Sequence, residues 1–202
     1  RIAQVLGRSD VLLEALGNAR TVNNRNSSRF AKHLHLTFQA TGARGGGAAA
    51  AATPRGGCAM AAAALHVYLL ERSRVVRQAR GDRNFHAFYA LCAAPPQLRA
   101  SLGVRGAEEH AYTAAGRAVA ATTGADDDGW EADADRSRYE QMARALEASG
   151  GGGGGDGVAG PPLFELLAAV LHLGDIHFEG DDGEVAVRER RRRASRDGGS
   201  VV

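Results

Sequence analysis

The hydrophobic and polar positions of this chain follow two different periods. Residues 33–38 read His-Leu-His-Leu-Thr-Phe, and this alternation with period two predicts a half-buried strand over residues 33–40. In residues 84–92, four side chains recur at the spacing of one helical face: Phe85, Phe88, Tyr89 and Cys92. The Pro95-Pro96 pair that follows predicts the end of this helix.

Helical patterns are most frequent in the second half of the chain. A further apolar face is formed by Tyr139, Met142, Ala143 and Leu146. The most apolar helix is predicted over residues 163–173, because Pro161 and Pro162 precede it and Gly174 follows it. The second half is therefore expected to be mainly helical.

Each end of the chain adds short elements to this picture. Residues 10–17 are predicted to form a helix, because Asp10 can cap its first turn and Gly17 favours its end. Residues 65–70 form a second apolar stretch near the predicted strand, and residues 176–178 and 185–187 are compatible with short strands.

The composition allows a domain-sized core and excludes several classes of protein. The chain has 202 residues and is 44% hydrophobic, although much of that fraction is alanine. A net charge of +2 gives no global field that favours nucleic acid or a membrane surface. Cys58 and Cys92 lack the spacing of a zinc site or a disulfide framework, so we expect reduced thiols in an intracellular protein. No apolar run approaches the roughly 20 residues of a membrane span.

Residues 23–32 gather amide, hydroxyl and guanidinium groups in the run Asn-Asn-Arg-Asn-Ser-Ser-Arg-Phe-Ala-Lys. Ser and Asn oxygens are hard ligands for a small divalent cation, and Arg offers a planar donor fork for phosphate. A surface turn is the alternative interpretation, because turns are rich in the same residues. The residue types alone leave both interpretations open.

The same stretch resembles the switch I region of the myosin motor domain. Residues 13–21, Leu-Glu-Ala-Leu-Gly-Asn-Ala-Arg-Thr, and residues 26–32, Asn-Ser-Ser-Arg-Phe-Ala-Lys, carry this resemblance. Three later segments resemble the family in its own order: Tyr-Leu-Leu-Glu-Arg-Ser-Arg-Val-Val (68–76), Arg-Asn-Phe-His-Ala-Phe-Tyr (83–89) and Leu-Ala-Ala-Val-Leu-His-Leu-Gly-Asp-Ile-His-Phe (167–178).

The resemblance implies an α/β fold, mainly helical in this part, within a P-loop NTPase-type motor head. Residues 1–187 would be a partial motor domain with part of the upper actin-binding subdomain, and the strands at 33–40 and 65–70 would be neighbours in its central sheet. Residues 41–62 would then be a low-complexity hairpin insertion, although the alanines at 48–52 and 61–64 also suit a helix. We expect a Gly-rich linker at 149–160 and a basic, disordered tail at 188–202.

The resemblance also implies roles for residues of the polar stretch. Asn24 and Asn26 would contact the nucleotide, and Ser27 would contact its terminal phosphate and help place the attacking water. Ser28 would bind the nucleotide and ligate Mg²⁺, and Arg29 would pair with a glutamate of switch II to close the site. ATP and Mg²⁺ are the implied cofactors, and Ser27 and Arg29 the implied catalytic residues.

A complete protein of this kind would be an actin-based ATPase of the cytoplasm and cytoskeleton, with light chains bound outside these residues and no nucleic acid or membrane insertion. The 202 residues lack a Gly-x-x-x-x-Gly-Lys-Ser/Thr loop and the Asp-x-x-Gly-x-Glu pattern of switch II, so we expect an internal fragment that is inactive alone. Three positions depart from the family pattern. Asn23 stands where Arg is usual, Arg25 where Asn or Asp is usual, and Ala31 where Gly is usual. A degenerate head that binds actin or another partner without cycling is therefore the alternative.

The remaining polar candidates have structural interpretations. His33 and His35 are predicted to face outward on the strand rather than to bind a metal. His86 is predicted at the surface, opposite the aromatic face of its helix, and His172 in the core. Acidic residues 126–128 are predicted to form a solvated loop, and residues 190–193 a solvated arginine run.

Overall fold

The computed structural model describes residues 2–41, 57–117, 127–149, 162–179 and 186–189. Most of the predicted linker and nearly all of the predicted tail lie outside these residues. The helices are α1 (Ile2–Gly17), α2 (His86–Cys92), α3 (Pro96–Ser101), α4 (Ala111–Arg117), α5 (Asp127–Ala148) and α6 (Pro162–Gly174), with a 3₁₀ turn at Arg72–Val75. The strands are β1 (Asn18–Ala19), β2 (Ser27–Ser28), β3 (Ala31–Thr41), β4 (Gly57–Tyr68), β5 (Ile176–Glu179) and β6 (Ala186–Glu189).

Helix α2 is the centre of the core. All of its residues are buried, and it packs against α1, α5 and α6. The larger apolar side chains of this core are Phe85, Phe88, Leu91, Met142, Phe164, Leu167 and Leu171. A helix of two turns has little stability of its own, so burial on every side stabilises α2.

Most predicted helices are present, but two begin elsewhere than expected. Helix α1 ends at Gly17 as predicted, yet it starts at Ile2, so Asp10 lies inside the helix instead of capping it. Asp10 instead pairs with Lys32 of β3 across 2.6 Å. Asp127 and Asp128 open helix α5, so the expectation of a solvated loop there is wrong for these two residues.

The two prolines at 95 and 96 separate two helices. Helix α2 ends at Cys92 as predicted, and Pro96 is the first residue of α3. This position suits proline, because the first turn of a helix does not use its amide hydrogens. Pro162 opens α6 in the same way, and Gly174 ends it.

Strands β3 and β4 form a long antiparallel hairpin. Their register runs from Ala31 opposite Tyr68 to Thr41 opposite Gly57, with a bulge next to Thr37 and Phe38. Residues 57–62, which the sequence assigned to the insertion, therefore belong to a strand, and the helical alternative for 61–64 is wrong. Pairing with β3 outweighs the helix propensity of alanine there.

Among the described residues, the strands form three separate two-stranded sheets, β1–β2, β3–β4 and β5–β6. Their presence beside the helices agrees with the predicted mixture, whereas membership of a larger central sheet stays a prediction. Strand β6 reaches Glu189, so the first two residues of the predicted tail pair with β5. No helix of the described part is long and apolar enough to cross a membrane.

The end of α1 is closely covered by Phe30, a residue of the polar stretch. The Phe30 ring lies against Gly17 so tightly that a Cβ on this glycine would overlap it. The amide of Arg29 also donates to the Gly17 carbonyl oxygen across 2.8 Å. The close approach of Phe30 therefore requires glycine at position 17.

We predict that Gly17→Ala lowers the free energy of unfolding by about 1–3 kcal/mol, because Phe30 must move to admit the methyl group. Gly7 is the matched control, since it lies inside the same helix with open space around its Cα. Gly7→Ala should raise the free energy of unfolding by about 0.5–1 kcal/mol. Denaturant unfolding of both variants measures the difference, and equal effects would contradict the role of Phe30.

Candidate functional site

Most of the polar stretch lies in a loop that a short pair of strands, β1 and β2, holds together. We call residues 20–29 the polar loop. Strands β1 and β2 are antiparallel, with Asn18 opposite Ser28 and Ala19 opposite Ser27. Inside the loop, the amide of Thr21 donates to the carbonyl oxygen of Asn24 across 2.8 Å. The short ladder and this turn fix the path of the backbone, so the loop presents its side chains from a defined frame.

The predicted ligand residues lie together on this frame, and most are exposed. The Ser28 hydroxyl donates to the carbonyl oxygen of Phe30 across 2.9 Å. The Asn24 side-chain oxygen accepts from the amide of Asn26 across 2.8 Å. Ser27 is half-buried, whereas Asn24, Asn26 and Ser28 are exposed. Hydroxyl and amide groups therefore reach solvent from one short segment.

Two side chains that the sequence did not indicate form hydrogen bonds to Asn26. Its side-chain oxygen accepts from Asn18 Nδ2 and from His86 Nε2, both across 3.1 Å. His86 is only 1% exposed, so its predicted place at the surface is wrong. The prediction failed because α2 is buried on every side, whereas the sequence pattern suggested one apolar face.

Burial determines the charge of His86. It lowers the pKa of His86 from 6.5 to about 3, and the positive charges of Arg138 and Arg83 act in the same direction. The imidazole is therefore neutral at physiological pH and donates its Nε2 hydrogen to Asn26. A neutral histidine beneath the polar loop supports Asn26 without adding a charge to the loop.

Arg29 is fixed through its backbone, and its guanidinium contacts two side chains. Its carbonyl oxygen accepts from the amide of Glu71 across 2.9 Å. One guanidinium nitrogen contacts the Ser27 hydroxyl, and Nη1 lies 3.6 Å from a carboxylate oxygen of Glu71. The Nε hydrogen is shielded from solvent and has no acceptor within the described ranges. Arg29 thus keeps one buried donor available for a further acceptor.

A buried arginine lies behind both ends of the polar loop. Arg74 donates to Glu71 across 2.9 Å, to Asp82 across 3.1 Å and to the carbonyl oxygen of Arg83 across 3.0 Å. Asp82 also accepts from the amide of Val22 across 3.1 Å. Sequence reasoning missed Arg74 and Asp82, although Arg74 lies in the quoted segment 68–76. One guanidinium therefore connects the start of the loop to the region of Arg29.

Further charges link this region to α5. Arg83 pairs with Asp135 across 2.5 Å, and its guanidinium lies 3.6 Å from the centre of the Tyr89 ring. Burial raises the pKa of Asp135, and the charge of Arg83 opposes this effect. Arg83 also pairs with Glu131 across 3.4 Å. These contacts join the segment after the 3₁₀ turn to the long helix.

A second cluster, His110, His172 and Asp175, brings together groups that are able to bind a metal. Within it, His110 Nδ1 donates to Asp175 across 2.7 Å, and His110 Nε2 accepts from the amide of Arg105 across 3.0 Å. His172 is exposed, so its predicted burial is wrong, and its Nε2 donates to the carbonyl oxygen of Leu102 across 2.8 Å. The protein's own hydrogen bonds thus use these ring nitrogens.

Asp175 also receives hydrogen bonds from the amide of Ala111 and from the Arg105 guanidinium, each across 2.8 Å. Burial alone would raise the pKa of Asp175, but these bonds and the one from His110 outweigh it and lower the pKa. Asp175 therefore joins the start of α4 to the end of α6. The cluster acts as a structural junction.

The remaining predicted features lie away from the polar loop. A cleft of about 660 Å³ lies between α2 and α5, and none of the predicted site residues lines it. His33 and His35 are both exposed on β3, as predicted, but Leu34 and Phe38 are exposed as well, so the predicted half-burial of this strand is wrong. The polar loop is therefore the only place, among the described residues, where the predicted site residues come together.

Comparison with known proteins identifies relatives over almost the whole chain. The family model described as myosin head (motor domain) matches residues 1–199. The myosin ID heavy chain of Dictyostelium discoideum is 32% identical over 196 residues, which are 96% of this chain and 15% of that protein. Myosin-13 of Arabidopsis thaliana is 34% identical over 192 residues, or 94% of this chain and 11% of that protein. The chain thus spans a small part of the length of these relatives.

We predict that the protonation of His86 makes stability depend on pH. The pKa is 6.5 in the unfolded chain and about 3 in the fold, so the unfolded chain binds the proton more tightly over this range. The free energy of unfolding should fall as the pH drops below about 6.5, by up to about 1.4 kcal/mol per pH unit.

His86→Gln tests this expectation, because the Gln amide retains a donor for Asn26 and does not titrate. Denaturant unfolding at several pH values should show a smaller loss of stability in acid for this variant than for the wild type. His33→Gln, on the exposed face of β3, is the control for losing a histidine as such. Parallel pH profiles for the wild type and His86→Gln would contradict the prediction.

Proposed function

Because this chain belongs to the myosin head (motor domain) family, we propose that its polar loop is the switch I wall of an ATP site in an actin-based motor. The observation that carries the proposal is the presentation of Ser28. Its backbone is paired with Asn18 and lies next to the Arg29–Gly17 hydrogen bond, whereas its hydroxyl is exposed. A hydroxyl on a fixed backbone is suited to a metal ion of strict geometry.

The hydrogen bond of Ser28 supports its role as a Mg²⁺ ligand. Because Oγ donates its hydrogen to Phe30, the lone pairs of Oγ remain free to bind a cation. Mg²⁺ bound there would neutralise charge on the phosphate oxygens of ATP. The residues present therefore fit Mg²⁺ in two respects. The ligand atom is an oxygen, and its hydrogen points to Phe30.

The two asparagines have different tasks in this proposal. The side-chain oxygen of Asn24 caps the amide of Asn26, which leaves the Asn24 NH₂ group to donate to phosphate oxygens. The side-chain oxygen of Asn26 is held by His86 and Asn18, so only its NH₂ group is available to the nucleotide. Asn26 thereby ties the position of the nucleotide to the core.

Ser27 and Arg29 act on the hydrolysis step. Phosphoryl transfer requires a positioned water and stabilised phosphate charge more than covalent chemistry. Ser27 lies beside the terminal phosphate in this proposal, and its contact with the Arg29 guanidinium orients its hydroxyl towards that phosphate and the attacking water. The buried Nε hydrogen of Arg29 has no acceptor within the described residues. A carboxylate of switch II, outside these residues, accepts this hydrogen when the site closes.

The conformation at Ala31 is compatible with a cycling head. Ala31 opens β3 and pairs with Tyr68, so its backbone is extended. Leu69 is the one non-glycine residue of the described part with a positive φ. The position where the family usually has glycine therefore accepts alanine without strain in this state.

The wider functions follow from the family. We propose that the complete protein binds actin filaments, with light chains on a neck outside these residues, and works in the cytoplasm as part of the cytoskeleton. We further propose that the 202 residues contribute two strands to a larger central sheet and do not hydrolyse ATP alone. An isolated hairpin is only marginally stable in water, which supports this part of the proposal.

The metal role predicts a specific effect of Ser28→Ala in the complete head. ATP turnover should fall at least about tenfold at limiting Mg²⁺, because one metal ligand is lost, and excess Mg²⁺ should restore part of it. Steady-state ATPase rates over a range of Mg²⁺ concentrations measure this effect. The isolated 202 residues, assayed in parallel, should give no turnover.

Ser9→Ala is the matched control. Ser9 is also a serine that donates to a backbone carbonyl oxygen, that of Val5 across 3.0 Å, but it lies on α1. Its replacement should leave both the rate and the Mg²⁺ dependence unchanged. If Ser28→Ala behaved like Ser9→Ala, Ser28 would not be a metal ligand.

A further inference from the structure

Among the described residues, Glu71 is the carboxylate that pairs with Arg29, and it lies three residues after the end of β4. Its backbone amide donates to the carbonyl oxygen of Arg29 across 2.9 Å, so the two residues are adjacent whatever their side chains do. The Arg29 Nη1 atom lies 3.6 Å from Glu71 Oε2. This distance is an ion pair without a well-formed hydrogen bond. Arg29 is therefore held loosely by this partner.

Glu71 itself is held tightly. The same Oε2 atom accepts from Arg74 Nε across 2.9 Å, and Arg74 is only 3% exposed. Arg74 is in turn fixed by Asp82 and by the carbonyl oxygen of Arg83. The carboxylate is thus a fixed point, whereas the guanidinium of Arg29 is the part of the pair that is free to leave.

The same arginine also fixes the other end of the polar loop. Asp82 accepts from Arg74 and from the amide of Val22. The buried charge of Arg74 is therefore connected both to the start of the loop and to the region of Arg29. Four charged groups meet here, Arg29, Arg74, Glu71 and Asp82, and their formal charges cancel. A movement of Arg29 away from Glu71 would leave Arg74 fully paired, so it would not expose an unpaired buried charge.

We propose that Glu71 is a positioning residue that keeps Arg29 in a resting place and competes with its closing partner. This inference rests on the proposed function, because it concerns the carboxylate with which Arg29 pairs when the nucleotide site closes. In the resting state, the guanidinium lies between Ser27 and Glu71. Closure moves it from Glu71 to the other carboxylate, and reopening returns it.

If Glu71 competes with the closing partner, removing its charge should favour closure of the site. If Glu71 were only a structural contact, the same change should weaken closure. Without the negative charge of Glu71, the resting state is weakened and closure is favoured. Half-exposed ion pairs of this kind are weak, so the equilibrium should shift by about two- to fivefold. The ratio of product-bound to ATP-bound head should rise by that factor, and phosphate release, which needs reopening, should slow by a similar factor.

Glu71→Gln in the complete head tests this proposal. The Glu71 side chain is 37% exposed, and the Gln side-chain oxygen can still accept from Arg74 Nε. Arg74 also keeps Asp82 and the carbonyl oxygen of Arg83 as partners, so the variant is expected to fold. Rapid quench-flow measures the ratio of products to ATP in the first turnover, and a phosphate-binding reporter measures release. Glu165→Gln removes an exposed glutamate from the first turn of α6 and should change neither quantity.

The outcomes separate the possible failures. A wild-type head without a rapid phase of hydrolysis would contradict the proposed function itself. A wild-type rapid phase together with an unchanged or lowered ratio in Glu71→Gln would overturn only the role of Glu71. If Glu71→Gln did not fold, Glu71→Asp would take its place, because the shorter side chain withdraws the carboxylate from Arg29. The ratio should then rise as well, and an unchanged ratio would overturn the proposal.

Discussion

The buried guanidinium of Arg74 is the interaction on which the geometry of the polar loop depends. It binds two carboxylates and one carbonyl oxygen, and through Asp82 and Glu71 it reaches both ends of the loop. Removal of one partner from a buried charge typically costs about 3–5 kcal/mol. The loop is thus fixed by the requirement that this charge stay paired, more than by its own short ladder.

Behind this charge, the packing of α2 determines which polar groups the loop can meet. Because α2 is surrounded by α1, α5 and α6, its first residue, His86, lies inside the protein and is neutral. Its hydrogen bond to Asn26 fixes the position of this loop residue relative to the core. A nucleotide that contacts Asn26 would therefore act directly on the packing of α2.

Local patterns in the sequence predicted the elements well and their surroundings poorly. Period two located β3, and helical spacing with Pro and Gly signals located α2 and α6, because these signals depend on neighbours in the chain. The His86 and His172 predictions were both wrong, since the burial of a helix face depends on what packs against it. Residues 61–64 favoured a helix by propensity, but pairing with β3, distant in the sequence, made them a strand.

The candidate site was located by one dense run of polar residues and by resemblance, whereas its support was not. Arg74, Asp82, Glu71 and His86 are separated from the loop by 40 residues or more in the sequence. Their contacts depend on tertiary folding, which no short pattern encodes. An arginine in the chain gives no sign of whether it is buried and paired.

In the proposed site, the polar loop contacts Mg²⁺ and the phosphates of ATP, and Ser28 is a metal ligand. The most direct measurement is a structure of the complete head with Mg²⁺ and a non-hydrolysable ATP analogue. We expect Ser28 Oγ at about 2.1 Å from the metal ion and Asn24 within hydrogen-bonding distance of a phosphate oxygen. A bound nucleotide whose metal and phosphates lie away from residues 24–29 would contradict this proposal.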